Sequence, residues 1–381
     1  MRRIYLDNAA TTAVAPEVLE AMLPCFAQVY GNASSIHGFG REGKRAIETA
    51  RRQVMRALNA AAPQEIYFTA GGTESDNWAI KATALAKGSG HIITTAIEHH
   101  AVLHTCQWLE KRGFAVTYLP VDEYGRVTAA QVEKALRADT ILVSIMAANN
   151  EVGTIQPIGD IGALCRVRGV LFHTDAVQAV GAIPIDVQAM NIDMLSLSGH
   201  KLHGPKGAGV LYVRKGVKAE PLIHGGAQER GFRAGTENVP AIVGLGKAIE
   251  LAHAGLAENA AYVSALRDKL ISGLMERVSG AKLNGHPTGR LPNNANISFD
   301  KVEGEALLLR LDLMGVAASS GSACTSGAID PSHVLLALGL TPAQANGALR
   351  LTLSKDTTEE EIDAVLDILP PIVEDLRRMV R

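Results

Sequence analysis

The chain has 381 residues, longer than one typical domain, and its 47% hydrophobic content can fill a sizeable core. A formal net charge of −2 excludes the strongly basic balance of a chain whose main partner is nucleic acid or an anionic membrane surface. The four cysteines, Cys25, Cys106, Cys165 and Cys324, are widely spaced without a C-x-x-C pair, which excludes a zinc pattern.

In chain order, Met1-Arg-Arg-Ile-Tyr-Leu-Asp7 carries no apolar stretch behind its arginines, so neither a signal peptide nor a twin-arginine leader is expected. Ile4-Tyr-Leu6 reads as a short strand entering a polar loop, Asp7 to Thr12, and Pro16 starts a helix expected to reach about Val29. After the loop Gly31 to Ser35, Lys44 to Leu58 has helical periodicity. Strands then alternate with helices. Ile66 to Phe68, His91 to Thr94, Val116 to Leu119, Ile141 to Met146, Val170 to Phe172 and Met194 to Leu197 are strand-like. Ser75 to Lys87, Val102 to Arg112, Thr128 to Leu136 and Ile161 to Val167 are helical. Strands apolar throughout and alternating with helices predict an α/β fold, a mainly parallel sheet covered on both faces, with ligands at the carboxyl ends of its strands.

The pattern changes near Ala257. A long amphipathic helix to Val278 precedes short strands around Ala295 to Phe299, Ala317 to Ser319 and Leu349 to Leu353, which suggests a smaller α+β unit. The last helix opens with the capping box Thr358-x-x-Glu361 and is expected to kink at Pro370-Pro371. A boundary near residue 257 gives a large domain over 16–257, and a small one from 1–15 with 258–381. No run of about 18 apolar residues occurs. A cytoplasmic protein that does not enter a membrane is expected.

Polar clusters sit at the strand ends. Thr69-Ala-Gly-Gly72-Thr73-Glu-Ser75 is a strand-to-helix turn whose free backbone N–H groups suit a phosphate, although ordinary turns of this kind look similar. Asp175 follows a buried strand and could keep a pyridine nitrogen protonated, or simply cap a helix; Gln178 lies on the same side. His99 could stack on an aromatic ring and move protons, and Asn149-Asn150 suits ligand binding or a turn. Lys201, in Ser198-Gly-His200-Lys-Leu-His-Gly-Pro-Lys-Gly207, is either a Schiff-base lysine with phosphate donors beside it or a hairpin-loop lysine. Alternating βα topology brings all these ends to one edge, and together they are the set a pyridoxal-phosphate site requires.

The sequence resembles the cysteine desulfurases of the NifS/IscS type, within the class V aminotransferase superfamily. The similarity runs through Tyr5 to Thr12, Phe68 to Ser75, Glu98-His99, Ala148 to Gly153, Phe172 to Gln178, Ser198 to Gly207, His224 to Arg230, Arg233 to Glu237 and Ser319 to Gly327. Ala9 and Ala33 depart from the family's usual asparagine and proline. The resemblance implies a fold-type I enzyme with a seven-stranded sheet and pyridoxal 5′-phosphate bound covalently to Lys201. It implies that Asp175 meets the pyridine nitrogen, Gln178 the phenolic oxygen, and His99 the ring face. Gly72, Thr73, Ser198 and His200 would hold the phosphate, joined by Thr236 from the other subunit of a homodimer. Asn150 would touch cofactor and substrate, while Arg350 and, more weakly, Asn32 would hold the substrate.

Cys324 lies in Ser319-Ser-Gly-Ser-Ala-Cys-Thr-Ser-Gly327, which has almost nothing to anchor a core, so an exposed, mobile nucleophile is expected. The activity implied is removal of sulfur from L-cysteine, leaving L-alanine and a persulfide on Cys324 for an acceptor such as an iron–sulfur scaffold protein. No fixed metal site is implied, although Cys324 could briefly ligate a cluster on that acceptor. Selenocysteine lyase or another class V aminotransferase is the alternative.

Overall fold

The computed structural model describes residues 3–320 and 331–379. Twelve strands are present among them: β1 (Ile4–Tyr5), β2 (Ile66–Thr69), β3 (His91–Thr95), β4 (Ala115–Leu119), β5 (Thr140–Ser144), β6 (Leu171–Asp175), β7 (Met194–Ser198), β8 (Gly209–Val213), β9 (Ala281–Leu283), β10 (Asn294–Phe299), β11 (Val316–Ala317) and β12 (Ala348–Thr352). Seven form the main sheet in the order β2-β8-β7-β6-β5-β3-β4. Only β8 opposes its neighbours: it pairs antiparallel with both β2 and β7, whereas the other pairs are parallel. The loop from β7 to β8 is too short for a crossover helix, so the chain must turn back on itself. Strands β2, β3, β5, β6 and β7 therefore deliver their carboxyl ends to one edge, as the alternation predicts.

Burial follows from this layering. Strands β3, β7 and β8 are buried along their whole length. A second apolar core gathers Ile4 and Leu6 with Leu270, Ile297, Leu351 and Leu366. It is built on the three-stranded sheet β12-β10-β9, while β1 pairs in parallel with β11. The N-terminal strand thus joins the C-terminal unit.

Several boundaries differ from those expected. Helix Gly38–Leu58 starts well before Lys44, although glycine is a poor helix former. Gly40 and Gly43 are pressed against backbone, where a Cβ would come within 2.3 Å of Ser35 O and 2.6 Å of Gly31 O. Close approach selects glycine there. The expected helix from Pro16 is broken by Pro24 into Pro16–Met22 and Pro24–Ala27. The last helix, Glu359–Met379, does continue past Pro370-Pro371 as expected, with Leu369, Ile372 and Val373 buried in the second core.

Candidate active site

The helix Gly72–Lys87 begins directly after β2 with Gly71 at φ +154°, and no side chain among the described residues caps it. Its first N–H groups are available to an anion. A Cβ on Gly72 would lie 2.6 Å from Val177 Cγ2 and 3.8 Å from Ser198 Cβ, so the turn is a cradle that only glycine keeps open. Gly72, Thr73, Ser198 and His200 line one cleft of about 810 Å³. Glu74 fixes this turn by accepting from Arg233 Nε at 2.9 Å and from the N–H of Ala70.

Lys201 stands at the end of β7, and its Nζ donates to the carbonyls of Ala9 and Ala10. Gln178 Nε2 donates to the same Ala9 carbonyl at 3.0 Å, so the two residues converge on the opening loop. Ala9's own N–H is accepted by Thr352 Oγ1 at 2.9 Å. Its backbone carries all three contacts. His200 Nδ1 lies 3.2 Å from Thr11 Oγ1; burial, then Lys201 and Lys206, hold its pKa down at about 4, so it is a neutral imidazole.

Asp175 is 7% exposed, and its Oδ1 accepts the Val177 N–H at 2.9 Å. Burial pushes its pKa up to about 6, against the opposing pull of that N–H and of Lys201. His99 caps the helix His100–Glu110, with Nδ1 accepting from the Ala101 N–H at 3.1 Å. Accepting there places the ring proton on Nε2. Its pKa is lowered by burial and then by Lys201, His333 and His104. His99 and Thr73 share a second recess beside the cleft.

Arg350, on β12, is 3% exposed and brings the second core to this edge. It donates to Asp7 Oδ1 at 3.0 Å and to the Asn150 carbonyl at 3.1 Å. Its Nε is buried without a hydrogen-bond partner among the described residues. A buried guanidinium with a donor to spare is ready for a carboxylate. Ser319 exchanges backbone hydrogen bonds with Arg350, and His333 Nε2 lies 3.1 Å from the carbonyl of Glu98.

Two expected residues stand apart in the single chain. Asn32 is exposed and its Oδ1 accepts from the Ser34 N–H. Thr236 is exposed and lines a recess different from the one holding Ser198 and His200. Cys324 lies outside the described residues. Cys25, Cys106 and Cys165 are buried, and burial pushes the Cys106 and Cys165 thiols up to about 12. They are packing residues. Asp7 and Thr11, read in the sequence only as polar loop, prove to hold Arg350 and His200. Their signal was position alone, between the first strand and the first helix.

An uncapped helix start, hydroxyl and imidazole groups, a lysine amine and a buried carboxylate fit pyridoxal phosphate. The family described as Aminotransferase class-V matches residues 4–365. A cysteine desulfurase IscS of Methanosarcina thermophila is 57% identical, the match covering 99% of this chain and 94% of that protein. Among solved structures, a NifS-like protein superposes with a TM-score of 0.92 at 44% identity, covering 98% of this chain and 100% of that one. A structure of SspA in complex with cysteine does so with a TM-score of 0.82 at 41% identity, covering 93% and 100%. The chain belongs to the class-V aminotransferase family of pyridoxal-phosphate enzymes. Within that family it groups with the cysteine desulfurases.

Proposed function

We infer that this chain is a pyridoxal-phosphate-dependent cysteine desulfurase that takes sulfur from L-cysteine and holds it on Cys324. The observation that carries the reading is Arg350, a buried guanidinium with a spare Nε, at the edge where Lys201, Asp175 and His99 converge. Bound pyridoxal phosphate supplies an aldehyde for the substrate amine and a ring that draws electrons from the reacting carbon.

The chain's own residues do the rest. The cradle at Gly72 and Thr73, with Ser198 and His200, binds the phosphate. Lys201 holds the cofactor and, once displaced, moves the substrate's α-proton on Nζ. Asp175 retains the proton on the pyridine nitrogen, and Gln178 is the donor for the phenolic oxygen. Arg350 orients the substrate carboxylate with help from Asn150. His99 supplies a proton from Nε2. The Cys324 thiolate attacks the substrate sulfur as the carbon–sulfur bond breaks; that carbon gains a proton, alanine leaves, and Cys324 keeps a persulfide. Ser319, which the chain reaches five residues before Cys324, exchanges backbone hydrogen bonds with Arg350.

The same reading includes a homodimer in which Thr236 completes the partner's phosphate site. Exposed apolar side chains at Leu23, Phe26, Tyr30, Ile36 and Phe39 support a covering second copy. Asn32, exposed in the neighbouring turn, would be oriented there too. The core on the main sheet and the core on the three-stranded sheet support a large domain over 16–257 and a small one from 1–15 with 258–381, and a further apolar cluster of Ile97, Met146 and Val152 with Val334 and Leu335 joins the two. No single helix among the described residues is long and apolar enough to cross a membrane; a cytoplasmic enzyme is the reading we carry forward. The sulfur passes to an acceptor protein, and iron–sulfur cluster assembly is the use we favour.

Purified protein should be yellow, and Cys324→Ser should keep the colour while losing sulfide release from cysteine with dithiothreitol as acceptor. A colourless protein would remove the cofactor reading. Wild-type sulfide release by Cys324→Ser would remove the persulfide.

A further inference from the structure

The core beneath the cofactor edge holds more carboxyl groups than it has cations to neutralise. Asp76, on the helix Gly72–Lys87, is 1% exposed, and Glu98, just beyond β3, is fully buried. The charges of Asp175 and Glu98 both bear on Asp76, and that of Asp175 bears on Glu98. These groups come from three separate strand ends and form one buried cluster.

Their hydrogen bonds are incomplete in a telling way. Asp76 Oδ1 and Glu98 Oε2 are buried without a hydrogen-bond partner among the described residues. Glu98 Oε1 accepts from Thr95 Oγ1 at 2.7 Å and from the Met146 N–H at 3.1 Å. The carboxyl of Asp76 hydrogen-bonds Ser196. Ser196 Oγ lies 3.0 Å from His173 Nε2, and His173 Nδ1 lies 2.9 Å from Ser144 Oγ. Leaving an oxygen bare in such a place costs an ionised carboxylate far more than it costs the neutral acid.

Among the described residues no cation faces these two groups. His173 Nε2 is 3.7 Å from Asp76 Oδ1, but burial drives its pKa down to about 3, so the ring is neutral. His99 is likewise lowered, and Cys106, near Glu98, is a thiol. Lys201 acts on Asp175. Burial first, and then the charge of Asp175, pushes Glu98 up to about 8 against its bonds from Thr95 and Met146; burial, then Asp175 and Glu98, raises Asp76 well above the carboxylate range.

We propose that Asp76 and Glu98 are positioning residues held as neutral acids, leaving Asp175 as the single negative charge beneath the pyridine nitrogen. The proposal rests on the pyridoxal-phosphate reading and adds to it. A cationic ring then meets one counter-ion in place of three, and two buried acids shape the pocket through Ser196, Thr95 and Met146 without adding charge.

Asp76→Asn and Glu98→Gln keep size and copy the neutral acid. Pyridoxal 5′-phosphate is titrated into the cofactor-free full chain, and affinity and absorption maximum are read together. Both variants should bind within about threefold of the parent with an unmoved spectrum, while Asp175→Asn should lose at least about tenfold. The thermal midpoint of the cofactor-free proteins is then followed with pH. Because Glu98's folded pKa lies above its unfolded value, the native state alone holds that proton between about pH 4.5 and 8. Wild-type stability therefore falls as pH rises through that window and levels off above it. Glu98→Gln lacks this loss, so its midpoint relative to wild type should rise across the window. A flat difference, or a neutral variant that behaves like Asp175→Asn, overturns the proposal. If Asp175→Asn itself leaves affinity unchanged, the cofactor reading fails and the proposal falls with it.

Discussion

Replacing Arg350 by glutamine removes the charge that β12 carries to the site and should cost cysteine far more than a substrate without a carboxylate. The guanidinium already meets Asp7 and the Asn150 carbonyl, and its buried Nε has no partner among the described residues. A substrate carboxylate would complete that set. Charge-assisted hydrogen bonds contribute about 1.5–3 kcal/mol each, so loss of the clamp should cost about 2–4 kcal/mol, or roughly thirty- to a thousandfold in kcat/KM. Folding should suffer less, because Asp7's side chain is 20% exposed and can turn to water once its partner is gone. Sulfide release would be measured with L-cysteine and with cysteamine, which keeps the amine and thiol but lacks the carboxylate. The wild type should strongly prefer cysteine, and Arg350→Gln should collapse the ratio by lowering only the cysteine rate. Arg350→Lys, which keeps charge but not the planar fork, should fall between. If both substrates lose equally while cofactor colour and thermal midpoint are unchanged, Arg350 is not the carboxylate clamp.

Glu229 pairs with Arg51 through two contacts, 2.8 and 2.7 Å, and accepts the Phe68 N–H at 3.0 Å, with both side chains 3% exposed. Glu229→Ala leaves a buried guanidinium without its partner and should destabilise by about 3–5 kcal/mol in urea unfolding; a loss under about 1 kcal/mol would show that water replaces the pair. Gly72→Ala drives a Cβ against Val177, whose N–H holds Asp175. Overpacking of about 1–3 kcal/mol should appear mainly as weaker pyridoxal-phosphate binding, about tenfold, read by absorbance titration. Unchanged affinity would place the phosphate elsewhere.

The strands of the main sheet and most of its helices were legible because hydrophobic period and turn chemistry are local signals. Helix starts were less so: the turn of helix before Lys44 was not read, and the close approach of Gly40 to Asn32 and Ser35 explains why glycine stands there. For the site, Gly72, Thr73, Asp175, Ser198, His200 and Lys201 each follow a readable strand, and parallel topology alone carries them to one edge. Their chemistry was therefore determined by sequence. Tertiary packing decided what they meet. Lys201 reaches the carbonyls of Ala9 and Ala10, and Arg350 spans Asp7 and Asn150, because β1 and β12, both held by the second core, carry the opening loop and Arg350 to the strand-end loops. The carboxyl cluster belongs to the same class. Asp76, Glu98 and Asp175 are ordinary acids in the linear chain. Their crowding into one dry volume is a property of the packed sheet, since a proton's affinity depends on the charges and water within a few ångströms, wherever in the chain they originate.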